Sequence, residues 1–241
     1  MNKPWGISRL LQEEPALGRI LFSIDSDVWL KRPIDFTKMQ QDERWYGSSC
    51  SSYLDANHWQ LGKYFTDEEL DRVTRIAGVS AAEYKMMNDR AIGAQLLFKD
   101  VSWPLFAAVA EDAWRIHDAL KEIHEGGKEN QHWVGEMLSF MLHILRVKGP
   151  DGVASSAELD FAWATTQDEA EFERHHMVHM AGAFERDGPY FCKERYTLVK
   201  PWACKKGFSY VTAAGASASY IDLMQRYVAS PRFGGHFSKQ T

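Results

Sequence analysis

The chain has 241 residues, 45% hydrophobic and 25% charged, which excludes a disordered, collagen-like or coiled-coil protein and suffices for a core without disulfide or metal staples. Its 28 basic and 33 acidic residues leave a net charge of −5, which offers no broad basic surface for a nucleic acid. The three cysteines, Cys50, Cys192 and Cys204, suit neither a disulfide framework nor a zinc knuckle and point to a reducing compartment. Residues 1–5 carry no apolar signal core and no window holds about 18 consecutive apolar residues, so a cytoplasmic protein without a transmembrane segment is expected.

In chain order, residues 5–17 read as a short amphipathic helix with Ile7, Leu10 and Leu11 on one face. After Gly18-Arg19, the run Ile20-Leu21-Phe22-Ser23-Ile24 lacks alternation. It reads as a strand buried on both faces of a parallel sheet, ending at Asp25-Ser26-Asp27. A second short strand falls over 45–50. Thr66-Asp67-Glu68-Glu69 and Ser80-Ala81-Ala82-Glu83 are capping boxes that open helices over 67–76 and 81–88. Residues 91–98 read as another buried strand, with Gly93 allowing close backbone approach.

Ser102-Trp103-Pro104 starts a long helix to about 123, whose apolar face is Phe106, Val109, Ala113, Ile116, Leu120 and Ile123. A helix over 130–147, with Trp133, Met137, Phe140, Met141 and Ile144 at helical spacing, stops at Gly149-Pro150. A strand over 175–180 and a helix over 217–228 complete the pattern. Alternating strands and helices define the α/β class. Without a repeat, a low-complexity segment or a linker, residues 1–241 read as a single domain.

Asp25 and Asp27 carry the sharpest chemical signal. Two carboxylates at the mouth of a buried strand are costly unless paired or metal-bound, and hard oxygens suit Mg²⁺ or Mn²⁺ and through them a diphosphate. The bland alternative is a solvated turn in which an aspartate caps the next segment. Late in the chain, His179-Met180-Ala181-Gly182 follows an expected strand, and Lys200-Pro201-Trp202 comes after it. An imidazole completes a shell begun by two carboxylates, a glycine admits phosphate oxygens to the backbone, and a lysine supplies a point charge. Taken alone, His179 better suits a satisfied core or surface histidine, and Pro201-Trp202 suits a turn with a packed indole.

A strand ending in D-x-D, followed late by H-x-x-G and K-P-W, resembles the nucleotide-sugar glycosyltransferases of GT-A fold, especially glycosyltransferase family 8. The resemblance implies a Rossmann-related, mostly parallel sheet flanked by helices. It gives Asp25, Asp27 and His179 to Mn²⁺ or Mg²⁺, and Gly182 and Lys200 to the diphosphate. Ser26, between the aspartates, joins the donor-contacting set. Gly93-Ala94-Gln95-Leu96-Leu97 resembles the strand lining the sugar site, which assigns Gln95 to the donor. Gln131-His132-Trp133-Val134-Gly135-Glu136-Met137 resembles the helix start that presents an acidic residue to the donor sugar, which makes Glu136 the catalytic candidate. Lys3-Pro4-Trp5 resembles the helix preceding D-x-D and brings Lys3 to donor phosphate or ribose. A UDP-sugar donor, a carbohydrate, lipid or protein acceptor and retention of anomeric configuration are implied likewise. Two departures stand out. Residues 183–199 separate Gly182 from Lys200, which makes Lys193 a competing phosphate ligand, and only 24 residues precede Asp25, so the expectation is either an N-terminally short form without the usual first strands or a base held differently.

Three rival readings share these residues. One is a non-catalytic nucleotide-sugar-binding remnant of the same fold. Another is a haloacid-dehalogenase-type phosphatase with Asp25 as nucleophile and Asp27 as acid/base, against which Trp29 stands where Thr or Val is wanted and Glu111-Asp112 lies inside a helix. The last is a zinc hydrolase from His175-His176-Met177-Val178-His179, which has H-E-x-x-H spacing with His176 in place of the glutamate.

Overall fold

The computed structural model describes residues 3–56, 65–125, 132–180, 189–193, 208–212 and 214–229. The elements in chain order are α1 (Lys3–Glu13), β1 (Ile20–Ser23), β2 (Val28–Leu30), β3 (Trp45–Ser49), α2 (Ser51–Leu54), α3 (Asp67–Thr74), α4 (Ala81–Lys85) and β4 (Ile92–Lys99). There follow α5 (Trp103–Glu125), α6 (Gly135–Lys148), β5 (Val153–Ser155), β6 (Phe161–Trp163), α7 (Glu169–Arg174), β7 (Met177–His179) and α8 (Ala216–Ala229). The class is α/β. Where the sequence reads as one domain, the contacts group into two compact units, Met1–Ile24 with Asp35–Asp160, and Asp25–Ile34 with Phe161–Thr241. Both units are discontinuous in the chain, which is why no linker composition announces them. Among the described residues no helix is long and apolar enough to cross a membrane.

The first unit holds a four-stranded sheet of order β1-β4-β3-β5. β4 is buried along its whole length and pairs antiparallel with β1 and β3, while β5 adds in parallel to β3. A Cβ on Gly93 would stand 3.0 Å from Met137 Cε and 3.1 Å from Cys50 Sγ, so that position takes only glycine without displacement of its neighbours. All six residues expected on the apolar face of α5 are buried. Phe98 of β4 meets Phe106 of α5 edge-on at 5.2 Å, and Phe140 of α6 closes the cluster at 6.1 Å from each. Both capping boxes form: Thr66 Oγ1 accepts from Glu69 N while Glu69 accepts from Thr66 N, and Ser80 and Glu83 repeat the exchange.

The second unit holds a three-stranded sheet of order β2-β7-β6. β2 pairs antiparallel with β7, and β6 runs parallel to β7 through the α7 crossover. Asp168 caps α7, its carboxylate accepting from Glu171 N at 2.8 Å. Ala162, Phe172, Val178, Met180, Phe191 and Ile221 form the core beneath α8. Buried Ser217 ties it together, donating to Ala164 O at 2.7 Å and accepting from Phe191 N at 2.9 Å. Gly215 enters α8 at φ +79°, where a Cβ would fall 2.3 Å from Thr166 O.

Two expectations are corrected. The sheets are mixed rather than mostly parallel: among the described residues β1–β4, β3–β4 and β2–β7 are antiparallel, and β3–β5 and β6–β7 are parallel. β1, read as a strand buried on both faces of a parallel sheet, stands at the edge of its sheet among the described residues, pairs antiparallel with β4 and has Ile20 49% exposed. Among the described residues its apolar run serves one neighbouring strand and a contact between Phe22 and Phe36 at 5.1 Å. A run of five apolar residues cannot by itself report how many strands flank it.

Candidate metal centre

The chain leaves β1 into a turn in which Val28 N donates to Asp25 O at 3.2 Å. This turn sets Asp25 and Asp27 at alternate positions with Ser26 as its exposed corner. β2 then pairs Val28 with His179, the last residue of β7, and Met180 N donates to Asp27 O at 2.9 Å. Strand register therefore carries a residue about 150 positions away to the two aspartates. His179 Nε2 lies 3.3 Å from Asp27 Oδ1 and 3.7 Å from Asp25 Oδ2. One donor atom of each residue lies within 4.8 Å of the others, and this is the one such group of three among the described residues.

The electrostatics suit a cation. The side chains of Asp25, Asp27 and His179 are 28%, 20% and 12% exposed, so their charges are partly withdrawn from water. Lys193 Nζ donates to Asp27 Oδ2 at 2.5 Å. Burial pushes the Asp27 pKa up, but hydrogen bonds from His179 and Lys193, with their charges, outweigh it and hold the carboxyl well below the usual carboxylate range. Tyr220 is pushed above its ordinary value by burial and by the Asp27 charge. Two hard carboxylate oxygens and one imidazole nitrogen fit Mn²⁺ or Mg²⁺ and leave further coordination positions for phosphate oxygens or water.

The remaining expectations distribute as follows. Gly182 and Lys200 lie outside the described residues. Lys3, Gln95 and Glu136 belong to the first unit. Lys3 Nζ donates to Ala94 O at 3.4 Å and lies 6.0 Å from the Phe140 ring. Gln95 is fully buried and its Oε1 accepts from the Ser48 hydroxyl at 3.1 Å. Glu136 sits in the first turn of α6, where a carboxylate is favoured by the helix dipole. The zinc-hydrolase reading is overturned. It needs a helix to bring i and i+4 together, whereas Met177–His179 form a strand and His175 is extended, at φ −91° and ψ 145°. Over such a stretch i and i+4 stand about 13 Å apart. His175 instead pairs with Glu171 at 2.9 Å, and His176 with Pro33 O at 2.6 Å.

Sequence reasoning misses Phe161 and Trp163, whose rings pack on His179. The apolar segment Phe161-Ala162-Trp163 carries two aromatic side chains two residues apart, but only the pairing of β6 with β7 brings them to the histidine. No known protein family, curated protein or solved structure matches this chain.

Proposed function

We propose that the protein is a divalent-metal-dependent glycosyltransferase that takes a sugar from a nucleoside diphosphate donor, with UDP-sugars the first donors to test. The observation that supports this reading is the convergence of Asp25, Asp27 and His179 on one point, with Lys193 beside them. A divalent cation bound there would supply charge neutralisation for the leaving nucleoside diphosphate. The chain's own contribution is to fix the donor set. Asp25 and Asp27 present carboxylate oxygens from one turn, and His179 presents Nε2 from the strand paired to it. Asp27 is held ionised by its neighbours across the neutral pH range, and a cation bound there would replace the His179 and Lys193 hydrogen bonds to its oxygens, with His179 Nε2 giving up its proton. Lys193, 47% exposed, adds a positive charge that phosphate oxygens can reach. The acceptor oxygen then bonds to the anomeric carbon as the bond from that carbon to the diphosphate oxygen breaks, and the hydroxyl proton passes to the departing diphosphate oxygen.

The experiment is isothermal titration of UDP in the presence and absence of Mn²⁺, followed by a release assay with a panel of UDP-sugars. Mn²⁺-dependent UDP binding that Asp27→Ala abolishes, together with Mn²⁺-dependent UDP release, supports the enzyme. Binding without release from any donor identifies a nucleotide-sugar-binding remnant. Mn²⁺-independent release of inorganic phosphate from phosphate esters would replace this reading with a phosphatase.

A further inference from the structure

The Nε2 side of the His179 ring meets Asp27, whereas the rest of the ring is contacted by other rings rather than by a second hydrogen-bond partner. Its Nδ1 is buried and has no hydrogen-bond partner among the described residues. Trp163 stands directly beside it on the neighbouring parallel strand. The indole and imidazole planes lie 15° apart with centroids 5.6 Å apart, an offset stack. Phe161, two residues earlier and so on the same face of β6, meets the imidazole edge-on at 5.0 Å and the indole at 4.9 Å.

Histidines that bind metals almost always donate their second ring N–H to a carboxylate, a carbonyl or water, and that bond fixes the plane of the ring. Without it the imidazole torsion is broad. Here rotation out of plane drives the imidazole into the Trp163 face, and Phe161, packed against both rings from the same strand, backs the indole. We propose that Trp163 is the positioning residue of the metal centre: its indole sets the imidazole plane so that Nε2 is aimed between Asp25 and Asp27. The inference rests on the metal-binding reading of those three residues.

The test is a double-mutant cycle on the full chain, with Mn²⁺ affinity read from the electron paramagnetic resonance signal of the free ion. Trp163→Leu removes the stack and is expected to weaken Mn²⁺ about three- to tenfold, the range that an aromatic pair of this kind commands. Trp163→Phe keeps a flat ring at the position and stays within about twofold of wild type. In a His179→Ala background, Trp163→Leu adds no further loss, because Trp163 acts only through His179. Should Trp163→Leu fail to fold by circular dichroism, Trp163→Met takes its place in the cycle. The proposal is overturned if the leucine variant binds Mn²⁺ like wild type, or if it weakens binding equally with and without His179, as a purely structural tryptophan would. Either result leaves the metal centre standing. If Asp27→Ala binds Mn²⁺ as well as wild type, the metal reading itself fails and the positioning role falls with it.

Discussion

Buried His143 should make the protein lose stability as the pH falls, by an amount that its hydrogen bonds define. His143 is fully buried on α6. Its Nδ1 lies 3.1 Å from Arg146 Nη2, and its Nε2 lies 3.0 Å from Asp112 Oδ2 on α5. A guanidinium only donates, so Nδ1 must accept and Nε2 must carry the proton that goes to Asp112. The neutral ring therefore satisfies both partners, and a second proton at Nδ1 would point at an N–H. Burial lowers the His143 pKa, and so does the Arg146 charge, against a smaller upward pull from Asp112. Arg115 also pairs with Asp112, at 2.8 Å, and draws on the same carboxylate.

A histidine whose folded pKa lies below its unfolded one leaves stability intact above about pH 6.5. Stability then falls below that value, because the unfolded chain takes up the proton first. The loss flattens once the pH drops through the folded pKa. The limiting slope is about 1.4 kcal/mol per pH unit, so about 1.4 kcal/mol is the most this group can remove by pH 5.5. His143→Gln supplies the comparison, since a glutamine amide can donate to Asp112 and accept from Arg146 without titrating. Urea unfolding of both proteins at pH 7.5, 6.5 and 5.5 gives the difference, in which all other titrating groups cancel. A wild-type-minus-variant difference that stays flat, or grows in favour of wild type as the pH falls, would refute the assignment of a neutral histidine.

Three further outcomes are expected. Mn²⁺ at about a hundred times its dissociation constant should stabilise the wild type by about 2.7 kcal/mol and leave Asp27→Ala unmoved, as read by thermal unfolding with and without the ion. Gly215→Ala places a Cβ 2.3 Å from Thr166 O at φ +79° and should cost about 2 kcal/mol or more, whereas a change under about 0.5 kcal/mol in urea unfolding would contradict the turn before α8. Thr66→Ala removes one arm of a capping box and should cost about 1 kcal/mol, with Thr66→Ser recovering most of it in the same assay.

Much of the secondary structure is local, and local chemistry makes it legible. The capping boxes at Thr66 and Ser80 fix two helix starts because each satisfies backbone donors within four residues. The apolar face of α5 follows from spacing alone, since helical residues three and four apart share a side. Asp25, Asp27 and His179 are legible as chemical types, two hard oxygens and a nitrogen set beside strands.

What the sequence does not contain is pairing. The run Ile20–Ile24 is equally apolar on a central strand or an edge, and only the tertiary structure shows that β1 pairs, among the described residues, with β4 alone and in antiparallel register. The division into two units is hidden because each is assembled from separated stretches of chain. The aromatic wall of the candidate site is hidden for the same reason. Trp163 and His179 become neighbours only through the parallel register of β6 with β7, and strand register is set by long-range contacts rather than by either segment.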